Sequence, residues 1–120
     1  MPRPYLGDPK YTIEVLQKYN FAFQKRFGQN FLIDTEAISR IAALADCQGE
    51  NVLEIGPGLG ALTSALSEKA KNLLAVEIDR TLVGILADEF ADKRSVQLIC
   101  SDFLKVPPAK ISDAFGGEPF

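Results

Sequence analysis

The chain has 120 residues, 47% hydrophobic and 24% charged, with a net charge of −3, two cysteines, and neither His nor Trp. That composition suits an ordinary soluble domain with one core, and it excludes a disulfide framework, a Cys-type zinc site and any nucleophilic or metal chemistry that needs histidine. The longest apolar runs are short, such as Leu73–Val76, and the opening residues lack a secretory stretch, so no membrane span, no metal and a cytoplasmic location are expected.

Charge is unevenly spread. Residues 1–26 hold Arg3, Lys10, Lys18, Lys25 and Arg26 against Asp8 and Glu14, a local +3, which leaves −6 on the remainder. A basic arm on an acidic body fits a polyanion partner, and it fits a solvated helix face as well. Asp8-Pro9 marks a helix start, and Ile13, Leu16 and Tyr19 give it one apolar face over about 9–19. Residues 20–33 break the periodicity and carry Phe21, Phe23, Phe27 and Phe31. Asp34 or Thr35 caps a second helix with the apolar face Ile38, Ile41, Ala42 and Ala45, stopped by Gly49.

Strand and helix then alternate. Val52–Ile55 is a short strand, Leu59 to about Lys69 a helix facing inward through Leu62, Ala65 and Leu66, and Leu73–Ile78 a strand apolar enough to be buried on both faces. Leu82, Ile85, Leu86 and Phe90 mark a helix over about 80–92, followed by a third strand, Val96–Cys100. The tail from Val106 to Phe120, with Pro107, Pro108, Gly116, Gly117 and Pro119, reads as loop. Cys47 and Cys100 read as small core residues. Short connections and parallel strands make this one half of a doubly wound α/β domain. Three strands are too few for that fold, so the domain is expected to be cut off at Phe120, before a fourth strand.

The chemistry lies in Glu54-Ile55-Gly56-Pro57-Gly58-Leu59-Gly60-Ala61, at the strand-to-helix turn where open α/β sheets bind ligands. Glu77 ends the second strand, where a carboxylate can accept from a ribose diol. Asp102 follows the third, where it can accept from an adenine amino group. The pattern also matches the dinucleotide fingerprint of a nicotinamide-dependent oxidoreductase. Glu54, however, would oppose a pyrophosphate at the helix N-terminus, and its charge suits the ammonium and sulfonium of S-adenosylmethionine. The extra Gly60 and an acid at each strand tip point the same way. Upstream, Lys25-Arg26-Phe27-Gly28-Gln29-Asn30-Phe31-Leu32 offers two amides that can hold an amino acid's ends. Its phenylalanines and basic residues either touch nucleic acid or fold the segment onto the core.

Gly-Gln-Asn-Phe-Leu, Glu-Ile-Gly-Pro-Gly-Leu-Gly, Val-Glu-Ile-Asp and Ser-Asp-Phe together resemble the ribosomal RNA adenine dimethyltransferase family, from about Tyr11 to Val106. Pro57 and Leu59 favour its housekeeping small-subunit (kasugamycin-sensitivity) branch over the erythromycin-resistance branch, which usually carries Ser and Lys there. The resemblance implies a Rossmann-like S-adenosylmethionine-dependent methyltransferase fold, N-terminal part only, with residues 1–33 as a basic cofactor-capping arm and 34–120 as the start of the methyltransferase domain. It assigns Asn30 and Leu32 to the methionine end of the cofactor, Gly56 to a backbone contact, Glu77 to the ribose and Asp102 to the adenine. Gln29, Glu54, Gly58, Gly60, Ile78 and Phe103 complete the candidate cofactor set, and Lys18, Lys25 and Arg26 are the candidate RNA contacts.

The implied activity is N6-dimethylation of adenines in small-subunit ribosomal RNA; a non-catalytic RNA-binding or ribosome-assembly homologue is the alternative. The family's catalytic Asn-Leu-Pro-Tyr motif is absent from the chain. The resemblance sets it beyond Phe120, so no catalytic residue is assigned within the chain, which alone is expected to be inactive. The family's strand order leaves residues 51–55 as an apolar edge, expected to self-associate or to pair with the chain's own tail.

Overall fold

Strand β2 (Asn72–Glu77) lies at the centre because its sequence leaves it no wet face: Leu73, Leu74, Ala75 and Val76 are all buried. In the computed structural model, which describes residues 8–19 and 35–120, β2 pairs in parallel with β1 (Asn51–Ile55) and β3 (Val96–Cys100). The order among the described residues is β1-β2-β3, as the family resemblance implies. Register sets Val52 beside Leu73 and Leu73 beside Val96. Side-chain alternation then puts Val52, Glu54, Ala75, Glu77, Leu98 and Cys100 on one face, and Leu53, Leu74, Val76 and Ile99 on the other.

The first face takes the helices. Ala42 of α2 (Thr35–Ala45), Leu66 of α3 (Ala61–Ser67) and Cys47 close over Leu73 and Ala75. Leu82 and Ile85 of α4 (Arg80–Glu89) join Ile38, Leu59, Ala61 and Val15, which brings in α1 (Pro9–Lys18). Asp8 caps α1, accepting from the Lys10 N–H at 2.9 Å, with Pro9 in the first turn where no N–H is needed. Two tyrosines fasten α1 to α4: Tyr11 donates to Glu89 at 3.0 Å and Tyr19 to Asp88 at 2.6 Å. The Asp88 hydrogen bond, with burial, pushes the Tyr19 hydroxyl up to about 12, which keeps it a donor. No helix among the described residues is long and apolar enough to cross a membrane.

The opposite face is covered by a helix where loop is expected. Residues Pro108–Ala114 form α5, after a short 3₁₀ turn at Phe103–Lys105. Prolines and glycines make up five of the fifteen residues from Val106 to Phe120, yet their positions favour a helix. Pro108 opens it, and Gly116 and Gly117 close it by donating to the Asp113 and Ser112 carbonyls. Ile111, Ala114 and Phe115, spaced on one helical face, pack with Val106 on Leu74 and Val76. Seven residues are too few for that periodicity to show against the flanking breakers. Phe120, expected to sit in open loop, instead folds back on this helix. Its ring stacks on Phe115 with centroids 5.2 Å apart, although 62% of the residue stays exposed. The turn at Gly116 and Gly117 reverses the chain and makes that contact possible, which composition alone does not reveal.

Two other expectations change. Ile41 is 43% exposed and Ala45 is exposed, so the buried face of α2 narrows to Ile38 and Ala42, the width that the short α3 covers. Cys47 is buried, but Cys100 is exposed, because it ends an edge strand beyond the helical layer. Element ends shift slightly: β2 stops at Glu77 and leaves Ile78 outside, and α3 starts at Ala61 rather than Leu59. Phe115→Ala is expected to cost about 3–5 kcal/mol in a urea titration, the range for truncating a buried phenyl ring. An unmoved unfolding midpoint would show α5 to be a loose tail.

Candidate functional site

The carboxyl ends of the three strands meet at Glu77. Its backbone carbonyl accepts from the Ser101 N–H at 3.0 Å, tying the tips of β2 and β3. The side chain is buried and each oxygen has a backbone donor. Gly58 N–H, in the β1–α3 turn, donates to Oε1 at 3.2 Å, and Asp79 N–H, at the start of α4, donates to Oε2 at 3.0 Å. One carboxylate thus joins two strand-to-helix turns, and it keeps lone pairs for a ligand's hydroxyls.

The turn is shaped by its glycines. Gly56 is exposed at φ 71°, and a side chain built there would meet nothing within 4 Å, which leaves open space at the tip of β1. Gly60 serves packing instead. A Cβ there would come within 2.7 Å of Leu86 and 2.8 Å of Phe90, at φ 88°, so only glycine lets the turn lie against α4. The Asp102 carboxylate accepts from Leu104 N–H at 3.0 Å, capping the 3₁₀ turn, and this fixes it just beyond β3. Ile78 is 43% exposed beside Glu77, while Phe103 packs partly into the core under α5.

Glu54 is set back from this edge, level with Ala75, and half-buried on the helical face. Its Oε1 accepts from the Thr63 hydroxyl of α3 at 2.5 Å. Burial pushes its carboxyl from an ordinary 4.5 up to about 7, against the opposing pull of the Thr63 hydrogen bond. Of the expected residues, Glu54, Gly56, Gly58, Gly60, Glu77, Ile78, Asp102 and Phe103 gather around the strand tips or just behind them. Gln29, Asn30 and Leu32, with Lys25 and Arg26, lie outside the described residues; Lys18 is exposed at the end of α1. Phe120 sits against Phe115 on the α5 side, apart from the strand-tip cluster. Sequence reasoning missed Thr63 and Asp79. Each left a signal: a polar residue on α3's inward face, and an acid immediately before α4. An open cavity of about 310 Å³ lies elsewhere, lined by Glu36, Ala37, Arg40 and Ile41 of α2, and none of the strand-tip residues lines it.

A parallel sheet with helices on both faces, a glycine turn after β1 and acids after β2 and β3 define the start of a Rossmann-like methyltransferase domain. The family model described as "Ribosomal RNA adenine dimethylase" matches residues 20–115, and the chain belongs to that family. "Ribosomal RNA small subunit methyltransferase A" of Lachnoclostridium phytofermentans is 49% identical over 118 residues, covering 96% of this chain and 41% of that protein. The protein of the same name from Clostridioides difficile is 43% identical over 110 residues, covering 90% and 38%. The chain thus spans about two-fifths of the length of these curated relatives. The crystal structure of the 23S rRNA methyltransferase ErmE superposes with a TM-score of 0.61 at 36% identity, over 66% of this chain and 34% of that one. A dimethyladenosine transferase from Plasmodium falciparum shares the fold, at 24% identity and a TM-score of 0.56 over 60% and 27% of the two chains. The expected family and fold are both met, and the nicotinamide alternative falls away.

The Glu54 carboxyl gives a test of the site's electrostatics. Below about pH 4.5 it is protonated in the folded and unfolded chain alike. Between there and about pH 7 only the unfolded chain is ionised, so the folded state loses stability as pH rises, by about 3 kcal/mol in all. Glu54→Gln is expected to remove that loss. In urea titrations the variant should gain on the wild type steadily from pH 4.5 to 7.5, and parallel curves would show that Glu54 titrates normally.

Proposed function

We propose that this chain supplies the S-adenosylmethionine-binding half of an enzyme that dimethylates adenine N6 in small-subunit ribosomal RNA. The observation that carries the reading is the Glu77 carboxylate, pinned by Gly58 and Asp79 beside the open space at Gly56. These residues suit a neutral-to-cationic adenosine ligand. The Gly58 N–H, which a pyrophosphate would need, is turned to a carboxylate, and Glu54 adds negative charge behind it.

In this reading Glu77 accepts the ribose hydroxyls and Asp102 accepts from the adenine amino group, with Ile78 and Phe103 beside the ring. Backbone at Gly56 and Gly58 lines the path, Gly60 seats the turn on α4, and Glu54 balances the ammonium and sulfonium. Gln29, Asn30 and Leu32 take the methionine end. The bound cofactor supplies a methyl group on a sulfonium, ready for in-line displacement. The chain's own contribution is position and charge, which carry most of the catalysis when no covalent nucleophile is involved. By the family resemblance, the acceptors that would hold the target amine belong to the Asn-Leu-Pro-Tyr motif, which is not among these 120 residues. Lys18, with Lys25 and Arg26, contacts RNA phosphates. Among the described residues no strand pairs with the outer edge of β1, where Ile55 is 57% exposed, and this supports self-association of the isolated chain through residues 51–55; the Asn51 side chain, which donates to Pro119 O, speaks for the alternative of contact with the chain's own tail.

Glu77→Ala in the full-length protein is expected to weaken S-adenosylmethionine binding by about 1.5–3 kcal/mol in calorimetry, the worth of hydrogen bonds to a charged group. Melting curves on the same samples separate lost binding from lost fold; unchanged affinity would remove Glu77 from the ribose role. Replacing Lys18, Lys25 and Arg26 together by Ala should weaken RNA binding and flatten its salt dependence. Identical salt slopes would make the arm a solvated surface.

A further inference from the structure

Thr63 has no exposed surface, yet it carries a hydroxyl; of the two buried polar side chains of α3, Ser67 is bonded to Ser64 O and Lys93, while Thr63 faces the sheet. The Thr63 hydroxyl donates to Glu54 Oε1 at 2.5 Å, the length of a strong, charge-assisted bond. It crosses from the first turn of α3 to the strand that leads into the glycine turn, so it ties together the two elements that the turn connects.

We propose that Thr63 is a positioning residue of the methyl-donor site: its hydroxyl fixes the Glu54 carboxylate at the end of β1 and favours its charged form, so that a negative charge stands behind the glycine turn for a cationic ligand. This rests on the reading of Glu54 given above and names the residue that maintains it. Burial drives Glu54 toward its neutral form, and the Thr63 hydrogen bond is the influence that opposes it. Among the described residues the other charges on neighbouring elements do not take this part: Arg80 of α4 is exposed and Lys93 donates to Ser67. α3 carries none along Ala61–Ser67. On β2 the acid of the same face is Glu77, held by Gly58 and Asp79. On α2, Glu36 and Arg40 pair at the surface, and on α4 Asp79 caps the helix while Asp88 and Glu89 accept from tyrosines.

Thr63→Val keeps the shape and removes the hydroxyl; Thr63→Ser keeps the hydroxyl. Carboxyl ¹³C NMR of the ligand-free chain is expected to show the Glu54 midpoint raised by about one pH unit in Thr63→Val and restored in Thr63→Ser. Thr63→Ala serves in place of the valine variant if that does not fold. Calorimetry of the full-length protein with S-adenosylmethionine should then show about fivefold weaker binding by Thr63→Val at pH 7, converging with wild type by pH 9. The reason is that the ionised fraction at pH 7 falls from about a half to about a tenth. In a Glu54→Gln background the Thr63→Val effect should vanish.

An unmoved NMR midpoint overturns the proposal whatever the affinities do. A raised midpoint with unchanged affinity also overturns it, because Thr63 would then serve folding alone. A wild-type protein that fails to bind the donor at any pH overturns the cofactor reading and this proposal with it; a normal NMR result would then locate the failure in the reading of the site.

Discussion

A buried carboxylate needs donors, and Glu77 takes both of its own from the backbone of two separate turns. Leaving such a charge unpaired away from water would cost several kcal/mol, so the two turns are held in the one arrangement that satisfies it. Gly58 and Asp79 belong to different strand-to-helix connections, and the Glu77 carbonyl reaches a third through Ser101. The ends of β1, β2 and β3 are therefore joined at one residue. The candidate site inherits its rigidity from that join, and the direction of the Glu77 carboxylate is already set.

The two sides of the sheet serve this edge differently. Helices α1 to α4 build the thick side, and Gly60 lets the glycine turn lie against Leu86 and Phe90, with Gly58 within reach of Glu77. On the thin side α5 seals Leu74 and Val76, and the chain beyond it returns toward β1, where Asn51 donates to Pro119 O and Lys71 pairs with Glu118 at 3.0 Å. That exposed ion pair contributes little to stability. The apolar contacts of Ile111 and Phe115 hold the thin side in place, with the Phe120 ring stacked on their outer edge.

Much of this was legible in the residues. The continuous run Leu73–Val76 could only be a strand covered on both faces, and Asp8-Pro9 could hardly be anything but a helix start. The glycine turn and the acids at 77 and 102 could be placed at the strand tips from the strand-helix alternation alone. What escaped was whatever depends on distant partners. The face of α5 is too short to show a period, and the return of Phe120 onto it needs the turn between them. The exposure of Cys100 and Ile41 depends on where neighbouring helices end. The Thr63 bond to Glu54 joins residues nine apart across a turn, and although Thr63 falls on the inward face of α3, nothing local names Glu54 as its partner. The inward orientation of Glu54 likewise follows from strand register, which the sequence constrains only through the hydrophobic pattern of its neighbours.

Membership of the adenine dimethylase family and the arrangement around Glu77 lead to one central claim: this stretch of chain is built to hold S-adenosylmethionine rather than a dinucleotide. Isothermal titration of the full-length protein with S-adenosylmethionine and, separately, with NADH tests it most directly. The account requires saturable binding of the methyl donor, weakened on replacing Glu77, and no heat of binding for NADH. Tight NADH binding, or indifference of the methyl donor to Glu77, would contradict it.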